Sequence, residues 1–365
     1  MKTGRMFALL AAAVMLAGCG AEDSSSRSEA SSAGEAAVTT AAVTTDAADS
    51  SKAPEEGSSV KEEISSAAET PPEEKPSDIT PAMWEVTSDN GGRLVLMGSM
   101  HALKEECYPL PERIAEAYAS SEALAVECDI VEATADSDIM LEEVQKMYYP
   151  VGETINDHIS AEVIESVKGY AAKFGLDLTL YERCKPWVWL TLFEMRALNQ
   201  LGLNTDLGID NRLLMQAKED GKEIIELEST AFQMDLLTGY SDEICELLLA
   251  PYTADNADAY SEDLAQTYEA WKNGDFEFFE KSYSKAGQLQ DLADAGYGPD
   301  TEQYKLMEKY IDSMQTDRNK GMAEKALKLL QEGRRVFLVV GEAHFCGEEG
   351  ILSLLKAAGY EVRRL

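Results

Sequence analysis

Two stretches decide how the chain reads: Leu94-Val95-Leu96-Met97-Gly98-Ser99-Met100-His101, and Val336-Phe337-Leu338-Val339-Val340-Gly341-Glu342-Ala343-His344. Each is an aliphatic run that closes on a glycine, with a histidine three residues later. Such runs mark strands buried on both faces of a parallel sheet. In open α/β sheets, ligands collect in the crevice beyond the carboxyl ends of these strands. The chain has three histidines, and two of them fall at that edge in the same pattern. Glycine at Gly98 and Gly341 lets backbone approach an ion or substrate with no Cβ between.

Working outward, Met83 to Thr87 and the turn signal Asp89-Asn90-Gly91-Gly92 predict a hairpin leading into the first core strand. Pro111 opens a helix to about Ser121, and Ala123-Leu124-Ala125-Val126 is a further strand ending in Glu127. That strand, helix, strand succession is a βαβ unit, which brings Glu127 to the same crevice as His101. The middle of the chain reads as helices at 138–147, 160–174, 186–200 and 208–220, a strand at 222–228, then helices at 229–238, 242–249, 256–273, 275–285 and 302–331. After the strand at 335–340 come a helix at 348–358 and a last strand at 360–364. The expected fold is α/β, a central mainly parallel or mixed sheet flanked by helices, with a large helical insertion that could cap the site.

The first 19 residues are expected to be a signal peptide: Lys2 and Arg5, an apolar core from Met6 to Leu16, then Leu16-Ala17-Gly18-Cys19. This end resembles bacterial lipoprotein signals, which would make Cys19 the lipidated first residue; an ordinary cleaved signal containing a cysteine is the alternative. Residues 20–80 are rich in Ser, Ala, Glu, Thr and Pro and poor in large apolar side chains, the composition of a disordered acidic tether. The domain proper is expected at 81–365. A net charge of -35 argues against nucleic acid and anionic lipid as partners, leaving the lipid anchor as the membrane contact and neutral or cationic substrates as the better match. The five cysteines after Cys19 lack metal-site spacing, and an odd number cannot all pair internally, so they read as mostly free or packed thiols.

Two imidazoles and a carboxylate suffice to hold a catalytic divalent metal with one position open for water. His101, His344 and Glu127 are the candidate ligands, and Glu127 could alternatively cap the turn that follows it. Glu342, two residues from His344 and expected on the same strand face, is a candidate base or added ligand. Arg318 is a candidate for stabilising a developing oxyanion, with an exposed ion pair as the alternative. Glu228 ends another strand and precedes a capping Ser229, so a structural role competes with a catalytic one. Trp187 and Trp189 read as packing, and His158 is assigned no function.

The ordered set Gly98-Ser99-Met100-His101, Tyr108-Pro109-Leu110-Pro111, Glu127, Lys185-Pro186-Trp187, Gly208-Ile209-Asp210, Glu226-Leu227-Glu228 with Gln233, Arg318-Asn319 and Gly341 to Gly350 resembles the TraB/GumN family, which includes Tiki-like and pheromone-shutdown proteins. The resemblance covers about residues 83–365. It departs at Ser99, where the family often has threonine, and at Glu342, where a small residue is common. The resemblance implies a metal-dependent protease using both GxxH histidines and a glutamate. The expectation is therefore a membrane-tethered, extracytoplasmic metal-dependent hydrolase using Mn, Co or Zn on exported peptides or small molecules. The alternatives are a peptide-sequestering binder and a metal-independent esterase.

Overall fold

The computed structural model describes residues 75–365, Asp136 excepted; the expected signal peptide, Cys19 and most of the expected tether lie outside the described residues. Six strands form one sheet: β1 (Met83–Thr87), β2 (Arg93–Ser99), β3 (Ala123–Val126), β4 (Glu223–Glu226), β5 (Arg335–Gly341) and β6 (Val362–Arg364). Their order is β4-β3-β5-β2-β1-β6. The four strands from β4 to β2 run parallel, and β1 pairs antiparallel to both β2 and β6. The sheet is thus mixed with a parallel centre, and the two GxxH strands are immediate neighbours.

Alternation along the central strands separates two cores. Val95, Met97, Leu124, Val126, Phe337 and Val339 face one. Leu94, Leu96, Ala123, Ala125, Val336, Leu338 and Val340 face the other. The first face lies under α1 (Glu112–Ser120) and the helices that follow β3. These are α2 (Ile130–Ala135), α3 (Ser137–Lys146), α4 (Ala161–Ala172), α5 (Pro186–Leu201), α6 (Ile209–Asp220), α7 (Thr230–Thr238), α8 (Asp242–Leu249), α9 (Ala259–Lys272), α10 (Phe276–Tyr283), α11 (Lys285–Asp294) and α12 (Glu302–Ile311). The second face packs on α13 (Asp317–Gln331) through Met322, Ala326 and Leu330, and on α14 (Ile351–Ala357) through Ile351 and Leu355. The alanines of β3 let helices approach that side closely.

Two expected helices differ. The segment expected at 275–285 ends at Tyr283, and α11 starts immediately after Ser284, whose Oγ accepts from Gly287 N at 3.1 Å. This hydroxyl caps a further helix over residues that the sequence reading, which ended its segment at 285, left unassigned. The helix expected over 302–331 is interrupted by a π turn at Asp312–Thr316. Inserted residues of this kind leave the 3.6-residue pattern of the flanks intact, which hides them from a periodicity reading.

Candidate functional site

The parallel strand ends deliver the site. Ser99 pairs with Gly341 across β2 and β5, and Val126 pairs with Val339 across β3 and β5. The ladder continues past β4, where Glu228 N donates to Glu127 O at 2.7 Å. His101, Glu127, Glu228 and Gly341 are consequently fixed at one edge by backbone register; the βαβ reading expected this of His101 and Glu127.

Glu127 is held on both oxygens. Its Oε1 accepts from Gly341 N at 2.8 Å, and its Oε2 accepts from Arg318 Nη2 at 2.6 Å and Gln233 Nε2 at 3.0 Å. Arg318 also grips Glu228, from Nε at 2.9 Å and Nη2 at 2.7 Å, and gives Nη1 to Met314 O at 3.2 Å. This is a buried two-carboxylate, one-guanidinium cluster, so Arg318 is no exposed surface ion pair. Its Nε and Nη2 hydrogens are committed to Glu127 and Glu228, which makes it chiefly a positioner of the two carboxylates. Burial works against the charge on Glu127, but its carboxyl is held well below the usual range by His344 when that ring is protonated and, whatever the state of that ring, by Arg318, His101 and the Gly341 N–H. Burial opposes Arg318 as well, and Glu127 with Glu228 raises it.

Both imidazoles are fixed from behind. His101 Nδ1 meets Asp210 Oδ2 at 2.5 Å, and His344 Nδ1 meets Asn319 Oδ1 at 2.7 Å. Asn319 Nδ2 donates to Glu349 O at 3.0 Å, which turns its oxygen toward His344. His344 Nδ1 is therefore the donor, and its Nε2 carries the lone pair, 3.7 Å from Glu127 Oε1. Burial and then Arg318 lower His344 to about 4, keeping it neutral. Burial alone would lower His101, but Asp210 and Glu127 lift it to about 9.

The two motif glycines have different jobs. A Cβ on Gly341 would stand 3.3 Å from Glu127 Oε1, 3.6 Å from His344 Cδ2 and 3.7 Å from His101 Nε2, so the space over this residue is where the three side chains converge. A Cβ on Gly98 would collide with Glu342 Oε2 at 1.6 Å. Gly98 continues the Leu94 and Leu96 face, whereas Gly341 continues the Phe337 and Val339 face. Glu342 therefore does not share a strand face with His344. The chain turns into a 3-10 helix at Glu342–Phe345, and the Glu342 carboxyl folds over Gly98. Both its oxygens are buried without hydrogen-bond partners among the described residues, and burial pushes it up to about 8.

A cavity of about 130 Å³ opens from this cluster. The strand-end groups form its floor, and the helical insertion supplies apolar walls: Trp271, Phe279, Tyr310, Ile311 and Met314. The π turn shapes the rim, since Gln315 within it donates from Nε2 to Ala343 O at 2.6 Å and Tyr283 O at 2.9 Å.

The candidate residues His101, Glu127, Glu228, Arg318, Asn319, Gly341 and His344 are thus gathered in one place. Sequence reasoning assigned no role to Asp210 or Gln233. Asp210 was visible as Gly208-Ile209-Asp210 opening α6, where the missing Cβ of Gly208 leaves room for the His101 carbonyl, which that atom would meet at 2.4 Å. Gln233 carried no spacing signal; Cys128 Sγ donates to its Oε1 at 3.3 Å and so turns its amide nitrogen toward Glu127 and Glu228. The five described cysteines are free, and four of them are buried.

Whether the donors fit a metal turns on their chemistry and spacing. Two imidazole Nε2 atoms with anchored Nδ1 groups and one carboxylate oxygen make a suitable set, with His101, raised to about 9, giving up its Nε2 proton as the ion binds. Among the described residues no group of three or more His, Cys, Asp or Glu meets metal-holding geometry. The 3.7 Å between His344 Nε2 and Glu127 Oε1 is a few tenths wider than the roughly 3.3 Å between ligands of a tetrahedral ion.

A mixed α/β sheet whose adjacent parallel strands each end in GxxH, over a carboxylate and arginine cluster, defines the class of protein. The TraB/PrgY/gumN family model matches residues 82–364, and the chain belongs to that family. It is similar to the uncharacterized protein YbaP of Escherichia coli K12, 27% identical over 164 residues that make up 45% of this chain and 59% of that protein. Against the uncharacterized protein YbaP of Shigella flexneri it is 28% identical over 153 residues, 42% of this chain and 54% of that protein. The chain thus spans a little over half the length of these curated relatives. No solved structure matches it.

Proposed function

We propose that this protein is a membrane-tethered, extracytoplasmic hydrolase that uses a divalent ion, Mn²⁺, Co²⁺ or Zn²⁺, to cut exported peptides. The observation that carries the reading is the convergence of His101 Nε2, His344 and Glu127 Oε1 on the space over Gly341. Each of the three is anchored on its far side, by Asp210, by Asn319 and by Arg318 with Gln233. A protein that only sequesters a peptide has no need of imidazoles set in one orientation.

His101, His344 and Glu127 would hold the ion, which when bound acidifies a water and polarises a carbonyl. The chain's own residues do the rest. Arg318 and Gln233 hold Glu127 and Glu228 in place, and the helical insertion lines the cavity with apolar walls. A cavity of about 130 Å³ lined by aromatic and aliphatic side chains matches a single bulky apolar side chain, since a cavity of roughly 150 Å³ holds benzene. The favoured substrate is a peptide with such a residue beside the cleaved bond. A second reading has one observation in its favour: the 2.5 Å His101 to Asp210 pair is also what a metal-free hydrolase with a histidine base would use.

The test is metal content and peptide cleavage by wild type, His101→Ala and His344→Ala after chelation and re-addition of each ion. Stoichiometric metal and metal-restored cleavage, both lost in either folded variant, support the metallohydrolase. Cleavage that ignores chelation favours the histidine-base reading. A folded wild type that binds peptide but neither metal nor turnover favours the sequestering role.

A further inference from the structure

Sharing Ser99, His101 and Glu127 with the main cavity is a second, smaller one of about 20 Å³. Ser99, His101 and Glu127 line both cavities; Asp210, Gln233 and Cys128 line only the small one. Two polar atoms in its wall lack partners among the described residues: Ser99 Oγ and Asp210 Oδ1. Ser99 is 5% exposed and the Asp210 side chain 14%, with Asp210 Oδ1 itself closed off, for a simple structural reason. Ser99 ends β2 on the face shared with Val95 and Met97, and Asp210 sits in the first turn of α6, pressed against the His101 loop, where Ile209 N donates to Met100 O at 3.2 Å.

We infer that this small cavity holds one ordered water, bound by Ser99 Oγ and Asp210 Oδ1, and that Ser99 thereby acts as a positioning residue for His101. A water needs roughly 10–15 Å³ and two to four polar partners, and the cavity meets both conditions. An anionic oxygen buried dry costs on the order of 1–3 kcal/mol or more, so the second oxygen of Asp210 has reason to recruit solvent. Oδ2 is committed to His101 Nδ1. Holding Oδ1 through water fixes the plane of the carboxylate, and that plane sets the direction in which the His101 ring presents Nε2 toward Gly341. The chain of control runs from the Ser99 hydroxyl to water, to Asp210, to His101.

The functional consequence rests on the metallohydrolase reading; the water site does not. High-resolution crystal structures of wild type, Ser99→Thr and Ser99→Val are the first measurement. A solvent peak within about 2.6–3.1 Å of both atoms is expected in wild type and Ser99→Thr, and none in Ser99→Val, whose second methyl takes the hydroxyl's place. A dry cavity in wild type, or a water touching only one of the two atoms, overturns the proposal. Mn²⁺ titration by calorimetry is the second measurement. Affinity should fall roughly 10–100-fold in Ser99→Val and be rescued in Ser99→Thr, as for other residues that orient a ligand from behind. Equal loss in both variants, or in neither, overturns the positioning role. If Ser99→Val fails to fold, Ser99→Ala takes its place with the same two readouts. Should wild type bind no metal at all, the hydrolase reading falls while the solvent peak is still scored.

Discussion

Gly98 and Gly341 occupy the same place in the same short motif, yet the residues around them make opposite demands. At Gly98 the added methyl of Gly98→Ala meets the Glu342 carboxyl at 1.6 Å, so the variant should lose about 1–3 kcal/mol of stability. Combining it with Glu342→Ala removes the obstructing group and should recover most of that loss in a double-mutant cycle of denaturant midpoints. Additive losses would mean that the two residues do not meet. At Gly341 the nearest atoms stand at 3.3–3.7 Å, so Gly341→Ala should stay within about 1 kcal/mol of wild type. On the proposed metallohydrolase reading it should nevertheless weaken metal binding and turnover, since the methyl enters the space on which His101, His344 and Glu127 converge. Retained metal affinity in that variant would move the site elsewhere. No alignment of the two motifs distinguishes these outcomes, because the difference lies in which sheet face each glycine ends.

Among the elements, the π turn at Asp312–Thr316 and helix α5 carry the clearest consequences. The turn delivers Arg318 into the site from the first residues of α13, and Arg318→Met removes its guanidinium while keeping the helix. The Arg318 contacts with Glu127 and Glu228 would break, leaving two buried carboxylates without their cation. Breaking such a group costs on the order of 3–5 kcal/mol, which should appear as a much lower melting temperature with helical circular dichroism preserved. An unchanged melting temperature would argue that the cluster contributes nothing. On α5, Glu194 is buried with both oxygens unpartnered among the described residues, and burial raises its carboxyl to about 8 against an opposing pull from His101. Its folded pKa lies above the unfolded value of 4.5, so its favourable contribution is complete below pH 4.5 and is lost as pH rises through about 8. Glu194→Gln mimics the protonated form. The variant should match wild type near pH 4 and exceed it by about 4 kcal/mol near pH 8, measured as the difference between paired denaturation curves. A pH-independent difference would place the Glu194 carboxyl in contact with water.

For the whole molecule, a net charge of -35 sets a background of self-repulsion. Raising NaCl from about 0.02 to 0.5 M shortens the screening length several-fold and should raise the melting temperature by a few degrees. A falling melting temperature would mean that attractive surface pairs outweigh the repulsion. Much of the architecture was legible in the chain. The aliphatic runs at 94–97 and 336–340, the alternating helices and the turn signal at 89–92 identified the strands and helices, because burial imposes its period on sequence directly. The gathering of His101, Glu127 and Gly341 at one edge also followed, since parallel strands place their carboxyl ends together. Three things followed only from the tertiary structure. The direction of Glu342 depends on the chain leaving β5 in a 3-10 turn, and the interruption at 312–316 leaves no mark on the flanking periodicity. The partners of the imidazoles, Asp210 and Asn319, come from helices 109 and 25 residues away in sequence. Local spacing records which residues share a strand or a helix face; it carries no record of which distant side chain fills the space behind a ring, because that is decided by packing between elements.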